Sequence, residues 1–155
     1  LDERNFRNAM GKFATGITVV SMKYGNQIIA MTVNAFMSVS LSPKLIAISI
    51  NQQASMHNKF ASGKPIGISI LTREQESLSS YLAKQLEEIE EIEFVNLNET
   101  PVLKGATAIL ACKIVDSIRA GDHTIFIAEV TEFAVSDEEP VIFYNGKYRK
   151  LVEEK

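Results

Sequence analysis

The chain has 155 residues, of which 46% are hydrophobic and 23% charged, with a formal net charge of −3. That length gives one domain around one main core, and the composition excludes disordered, collagen-like and fibrous classes. The mild acidity argues against a nucleic-acid binder, which needs a basic field, and no apolar run is long enough to span a membrane as a helix.

A single cysteine, Cys112, makes no internal disulfide and no structural zinc site by itself. Set among Ala108, Ile109, Leu110 and Ala111, it reads as a small buried apolar residue rather than a nucleophile. One unpaired cysteine fits a reducing compartment, so the expected location is cytoplasmic. The opening Leu1-Asp2-Glu3-Arg4 has no secretory signal pattern.

Phe6, Ala9, Met10 and Phe13 fall on one helical face, with Asp2 placed to cap the helix and Gly16 to stop it. Beyond Gly16 the pattern becomes β-rich. Ile17–Met22 and Ile28–Val33, punctuated by Gly25-Asn26, predict a hairpin. Asn34–Pro43 is rich in Ser and Asn between apolar strands. Leu45–Ile50 is a further strand, and Ser55 can cap a short helix through Phe60 that ends at Ser62-Gly63. Ile66–Leu71 is another strand. Thr72 and Gln75 have capping-box spacing for a helix through Leu78 and Leu82.

Glu87, Glu88, Glu90, Glu91 and Glu93 surround Ile89 and Ile92. This predicts a solvated face with two apolar anchors; the crowded carboxylates could bind a cation, but they lack a metal-site spacing. Pro101 marks the edge of the next loop. Thr107–Ile118 and Thr124–Val135 form a long hairpin about Ala120-Gly121-Asp122-His123, and Asn145-Gly146 turns a second one between Val141–Tyr144 and Lys147–Arg149. About seven strands and three helical pieces result. The order argues against a doubly wound parallel sheet and for a mainly β chain, an antiparallel barrel with peripheral helices.

No phosphate-cradling glycine loop, nucleophile elbow or zinc-protease motif is present, so an enzyme of this sequence would leave the hard chemistry to a cofactor. Three places invite a ligand, each with a plain structural alternative. Thr32–Ser40 is either a polar turn satisfying its own backbone or a site for a flat polar ligand. Asn51–Phe60 is either a simple Ser55 cap, with His57 on the helix surface, or an anion site beside Lys59. Gly121-Asp122-His123 is either an ordinary turn or a site presenting His123. Lys147, Tyr148 and Arg149 form either an edge strand or a cationic and aromatic platform.

The same places carry a family resemblance. Phe6-Arg7-Asn8-Ala9-Met10-Gly11-Lys12-Phe13-Ala14-Thr15-Gly16, the segment Met31–Pro43, Gly121–Val130 and Phe143–Tyr148 together resemble the short-chain flavin reductases. These serve flavin-dependent monooxygenases in two-component systems. The likeness runs nearly end to end and is nearest the branch of phenol hydroxylase and 4-hydroxyphenylacetate 3-monooxygenase reductase components.

The resemblance implies one FMN-binding split-barrel domain over residues 1–155 and a homodimer with flavin near the subunit interface. The implied reaction is hydride transfer from NADH or NADPH to FMN or FAD, with no catalytic side-chain nucleophile and no metal. A flavin-dependent monooxygenase or other redox partner would take the product. In that picture Thr32, Val33, Asn34, Ala35 and Phe36 meet the flavin, with Ser38 and Ser40 nearby and Ser49, Ile50 and Asn51 along the next strand. Ser55 and Met56 lie at the phosphate. The phenol hydroxylase branch has a lysine at the position of Ser55, so Lys59 stands to take over the positive charge. His123 and Tyr148 match residues associated with the nicotinamide or a second, substrate flavin. The acidic run matches no family motif. The competing class on the same barrel is a non-enzymatic FMN-binding electron-transfer flavoprotein; a pyridoxamine-phosphate oxidase-like enzyme and a flavin-free binding module rank below it.

Overall fold

The computed structural model describes residues 1–89 and 91–154. The first predicted helix forms over Glu3–Met10 (α1). Asp2 caps it, its carboxylate accepting from the Arg4 N–H at 2.9 Å. It ends at Gly11, not Gly16, because the chain beyond leaves to pair with a later segment. Thr15 and Phe143 exchange main-chain hydrogen bonds of 3.0 and 2.8 Å. Phe13 therefore lies outside the helix, and Phe6, Met10 and Phe13 are all exposed.

Among the described residues there are eleven strands: β1 Thr18–Tyr24, β2 Gln27–Val33, β3 Phe36–Leu41, β4 Lys44–Asn51, β5 Pro65–Ile70, β6 Phe94–Leu97, β7 Thr100–Leu103, β8 Ala108–Ala120, β9 His123–Val135, β10 Val141–Tyr144 and β11 Lys147–Lys150. Seven build one antiparallel sheet in the order β2-β1-β5-β8-β9-β4-β3. The hairpins β6–β7 and β10–β11 stand apart from it. The sheet encloses one apolar core. Val33 from edge strand β2 shares it with Ile48 and Ile50 of β4, Ile66 and Ile68 of β5, and Phe126 of β9. Burying each such large side chain contributes roughly 1.5–3 kcal/mol.

The segment that reads as a polar turn and the loop at Pro101 both form strands. Phe36–Leu41 is a strand whose side chains are mostly exposed. An edge strand needs no apolar alternation, so its Ser-rich composition read as a turn. Phe94–Leu97 and Thr100–Leu103 pair about Pro101, which β7 tolerates because, among the described residues, β6 is its sole ladder partner. The expected helix from Ser55 is a three-residue 3-10 turn, His57–Lys59, with no side-chain cap. It therefore has no helix N-terminus to offer an anion.

The local signals held elsewhere. Asn145 and Gly146 both take positive φ, 54° and 75°, as a two-residue hairpin turn requires. The Thr72–Gln75 capping box is present, opening a 3-10 turn that runs into α2, Glu76–Leu82. Ile89 and Ile92 are half-buried while Glu87, Glu88, Glu91 and Glu93 are exposed, as expected of a solvated face. Glu93 pairs with Lys104 at 3.1 Å, and Glu90 lies outside the described residues. No helix among the described residues is long and apolar enough to cross a membrane.

Helix α2 ends on a strained residue. Lys84 has φ 62°, and the N–H groups of Lys84 and Gln85 reach the carbonyls of Tyr81 and Ser80 at 2.9 and 2.8 Å. This is the paired-bond helix stop that glycine prefers. Lys84→Gly is expected to stabilise the fold by about 1 kcal/mol, since only the Cβ strain is removed. Thermal unfolding checks this as a midpoint raised by about 2–4 °C. An unchanged or lower midpoint would remove the strain argument.

Candidate functional site

Three of the predicted segments meet at one end of the sheet. The Ala35 carbonyl accepts from the Ser49 N–H at 3.0 Å, Ser49 is the cross-strand partner of Ile125, and Asn51 is that of His123. Asn34, Ala35 and Asn51 are exposed there, and Ser49 and His123 are half-buried. The His123 ring is held by its neighbour, with Nδ1 2.7 Å from the Asp122 carboxylate. A carboxylate only accepts, so Nδ1 carries the hydrogen and Nε2 is left for another group. The same hydrogen bond, then the charge of His123, holds the Asp122 carboxyl below its usual range.

A second assembly forms where β2 meets α2. Thr32 Oγ1 donates to the Ser79 carbonyl at 2.7 Å. Tyr148 Oη lies 3.0 Å from Ser79 Oγ and accepts from Ser80 Oγ at 3.1 Å. The Tyr148 ring meets Phe143 edge-on at 5.5 Å. Thr32, Asn34, Ser79, Gln85, Phe143 and Tyr148 line a cleft of about 170 Å³. Further along β2 and α2, Ile28, Ile29, Ser55, Met56, Lys59 and Tyr81 line another of about 470 Å³. There Lys59 Nζ donates to the Ser55 carbonyl at 3.1 Å and sits 5.0 Å from the Tyr24 ring centre. Two wider grooves, about 790 and 690 Å³, hold none of the predicted site residues.

Not every predicted residue joins these places. Ser38 and Ser40 lie on β3 beside a register shift and line neither cleft. Val33 and Ile50 bury their side chains in the main core, Phe36 packs against it, and Met56, buried in the same core, reaches only the edge of the cleft beside Lys59. Val33 also serves β1, its carbonyl accepting from Thr18 Oγ1 at 2.6 Å. Ser79, Ser80 and Gln52 gave no signal in the sequence. His57 is not the free surface residue expected: Nε2 lies 2.8 Å from Thr124 Oγ1, and its ring leans on Phe126. Cys112 is buried as expected, and burial pushes its thiol up to about 12, so it stays unreactive.

The family described as flavin reductase like domain matches residues 10–152. The chain belongs to this family. An NADH-dependent flavin reductase of Rhodococcus sp is 39% identical over 150 residues, covering 95% of this chain and 85% of its own length. The reductase component of 4-hydroxyphenylacetate 3-monooxygenase from Thermus thermophilus is 33% identical and covers 95% of each chain. Among solved structures, the flavin reductase PheA2 superposes with a TM-score of 0.95 at 44% identity, covering 99% of this chain and 100% of that one. The mainly β, antiparallel architecture is thus that of flavin reductases.

Proposed function

We infer that this chain is an NAD(P)H:flavin oxidoreductase that supplies reduced flavin to a partner monooxygenase. The observation that carries the reading is the convergence of Asn34–Phe36, Ser49–Asn51 and His123 at one sheet end. It joins the flavin segment of the family resemblance to the nicotinamide residue. The names of the relatives, an NADH-dependent flavin reductase and a monooxygenase reductase component, favour this over a non-enzymatic electron-transfer flavoprotein.

The donor set suits FMN or FAD. Thr32, Asn34, Ser49 and Asn51 offer neutral hydroxyl and amide groups to a flat polar ring. Lys59 and Ser55, side by side, offer a cation and a hydroxyl to a phosphate. Val33, Ile50 and Met56 have only main-chain groups to give, since the core holds their side chains. When bound, the flavin supplies the two-electron acceptor for a hydride from NADH or NADPH. The protein's own part is to bind, orient and exclude water. The Phe36 N–H already donates to the Asn34 carbonyl at 3.0 Å, so the main-chain N–H groups of Asn34 and Ala35, between β2 and β3, are the ones to meet developing negative charge. Ser79 ties Thr32 and Tyr148 to one helix, so that wall is rigid. His123 directs Nε2 at the nicotinamide portion.

Three finer features belong to the same reading. The chain forms a single FMN-binding domain, and the sheet wraps as a split barrel, which the open strand order and the core shared by β2 and β4 support. The active form is a homodimer. A cleft of about 170 Å³ is below the range of roughly 300–1,000 Å³ usual for ligand sites. Phe6, Met10 and Phe13 leave an uncovered apolar surface that a second copy would bury. The location is cytoplasmic, which suits a lone buried thiol.

An anaerobic absorbance assay tests the activity. With NADH or NADPH and excess FMN or FAD, the flavin band should bleach over many turnovers. No turnover with any of the four pairs overturns the enzyme reading. Tightly retained FMN that only a redox protein reduces would establish the electron-transfer class instead.

A further inference from the structure

We propose that Gln52 is the positioning residue for His123, and through it for the reduced nicotinamide; this rests on the role given to His123 above. Gln52 follows directly on β4. Its N–H donates to the Asp122 carbonyl at 2.9 Å. Its side-chain Nε2 donates to the His123 carbonyl at 3.2 Å and, at 3.4 Å, to that of Gly121. Its Oε1 accepts from Arg119 Nη2 at 3.2 Å. One amide thus uses its nitrogen on the turn and its oxygen on the β8 stem of the same hairpin. Only a primary amide offers both functions at this length: a carboxylate would set negative charge against two carbonyls, and a methyl would leave them to water.

The hairpin tip needs such an outside tie. Asn51–His123 is the last rung between β4 and β9, and Ala120–His123 the last between β8 and β9, so Gly121 and Asp122 project beyond the sheet. Gly121 turns there with φ 61°, and the Asp122 side chain is 87% exposed. The Asp122–His123 contact lies inside the tip, so it orients the ring relative to the turn and nothing more. Gln52 fixes the turn relative to β4, the strand that carries Ser49, Ile50 and Asn51. It therefore sets the spacing between His123 and the flavin side of the site. His57, bonded to Thr124, ties the base of β9 separately, so removing Gln52 loosens the tip without detaching the strand.

Steady-state kinetics under anaerobic conditions, with NADH and whichever of FMN or FAD turns over, test this. Gln52→Ala is expected to raise the KM for NADH about tenfold, the effect of losing one to two net hydrogen bonds' worth of orientation. The kcat and the KM for flavin should stay within about twofold, well inside that difference. Gln52→Glu, nearly isosteric, should act in the same direction. Arg119→Leu, which frees Oε1 but keeps the Nε2 contacts, should give a smaller shift of the same kind. In a His123→Ala background Gln52→Ala should add less than about twofold, because residues acting through one another are not additive.

If His123→Ala raises the KM for NADH but Gln52→Ala and Gln52→Glu do not, the inference about Gln52 is wrong and the role of His123 stands. Full additivity in the double variant also overturns it, since Gln52 would then act independently. If His123→Ala leaves the KM for NADH unchanged, the role of His123 falls and the proposal with it. Should Gln52→Ala not fold, Gln52→Glu and Arg119→Leu decide the matter by the same readouts.

Discussion

Gly67→Ala is expected to destabilise the protein by about 3 kcal/mol or more, the upper range for forcing an extra methyl into a packed interior. Gly67 lies in the middle of β5 and is buried. A Cβ there would stand 2.2 Å from the Pro101 carbonyl oxygen, 2.8 Å from Val102 Cγ1 and 3.0 Å from Ser21 Oγ. The nearest atom is main chain, so no side-chain rotation relieves the contact. β7 crosses the sheet at this point on a bed of small residues. Ser21, opposite Gly67 on β1, donates to the Pro101 carbonyl at 2.6 Å, and Ser69 Oγ accepts from the Leu103 N–H at 2.9 Å. Moving β7 outward by the ångström or so that a methyl needs breaks both buried bonds and opens a void beside Val102 and Leu103, which are fully buried. Denaturant unfolding measures the loss, and thermal unfolding should show a midpoint lower by about 6–12 °C. A midpoint within about 2 °C of the parent would mean that β7 does not press on β5.

His123→Ala is expected to lower kcat/KM for NADH roughly tenfold to a hundredfold, the range for losing one charge-assisted hydrogen bond to a ligand. The expectation rests on the proposed role. The His123 side chain is 40% exposed, its Nδ1 is committed to Asp122, and Asn51 is its cross-strand neighbour. Flavin affinity, followed by quenching of flavin fluorescence on titration, should hardly change, because Thr32, Asn34 and Lys59 are untouched. Loss of bound flavin with an unchanged dependence on NADH would reverse the assignment. The pH behaviour follows from Asp122. Its carboxyl is held below the ordinary value of 3.8, so the contact is fully present above that value and is lost as pH falls through the lowered one. Asp122 therefore adds no acid limb to the NADH dependence near neutral pH.

Short-range signals were legible in the sequence because the groups that make them are a few residues apart. Asp2 and Arg4, Thr72 and Gln75, and Asn145 with Gly146 each form the cap or turn that their spacing predicts. The long β8–β9 hairpin followed from β-rich runs about a glycine turn. Where the environment differs from the usual one, composition misled. β3 is Ser-rich because it is an outward-facing edge, and α1 ends early because the partner of Thr15 is Phe143, 128 positions on.

The family resemblance found the segments of the site, but not what holds them in place. Ser79 to Tyr148 and Gln52 to Gly121 are each 69 residues apart in the chain. Neither serine nor glutamine has a distinctive local pattern, since a hydroxyl or amide takes its role from whichever partner folding brings within 3 Å. The demand on Gly67 is of the same kind, arising from a strand laid across it from 34 residues away. Taken alone, the order of residues determined the β-rich class, the turns, the caps and the chemical types available to a flavin and a nicotinamide. The tertiary structure decided which of those residues keep a free polar side chain and which, like Val33, Ile50 and Met56, are taken into the core, because burial is set by contacts between distant strands and not by neighbours in the chain.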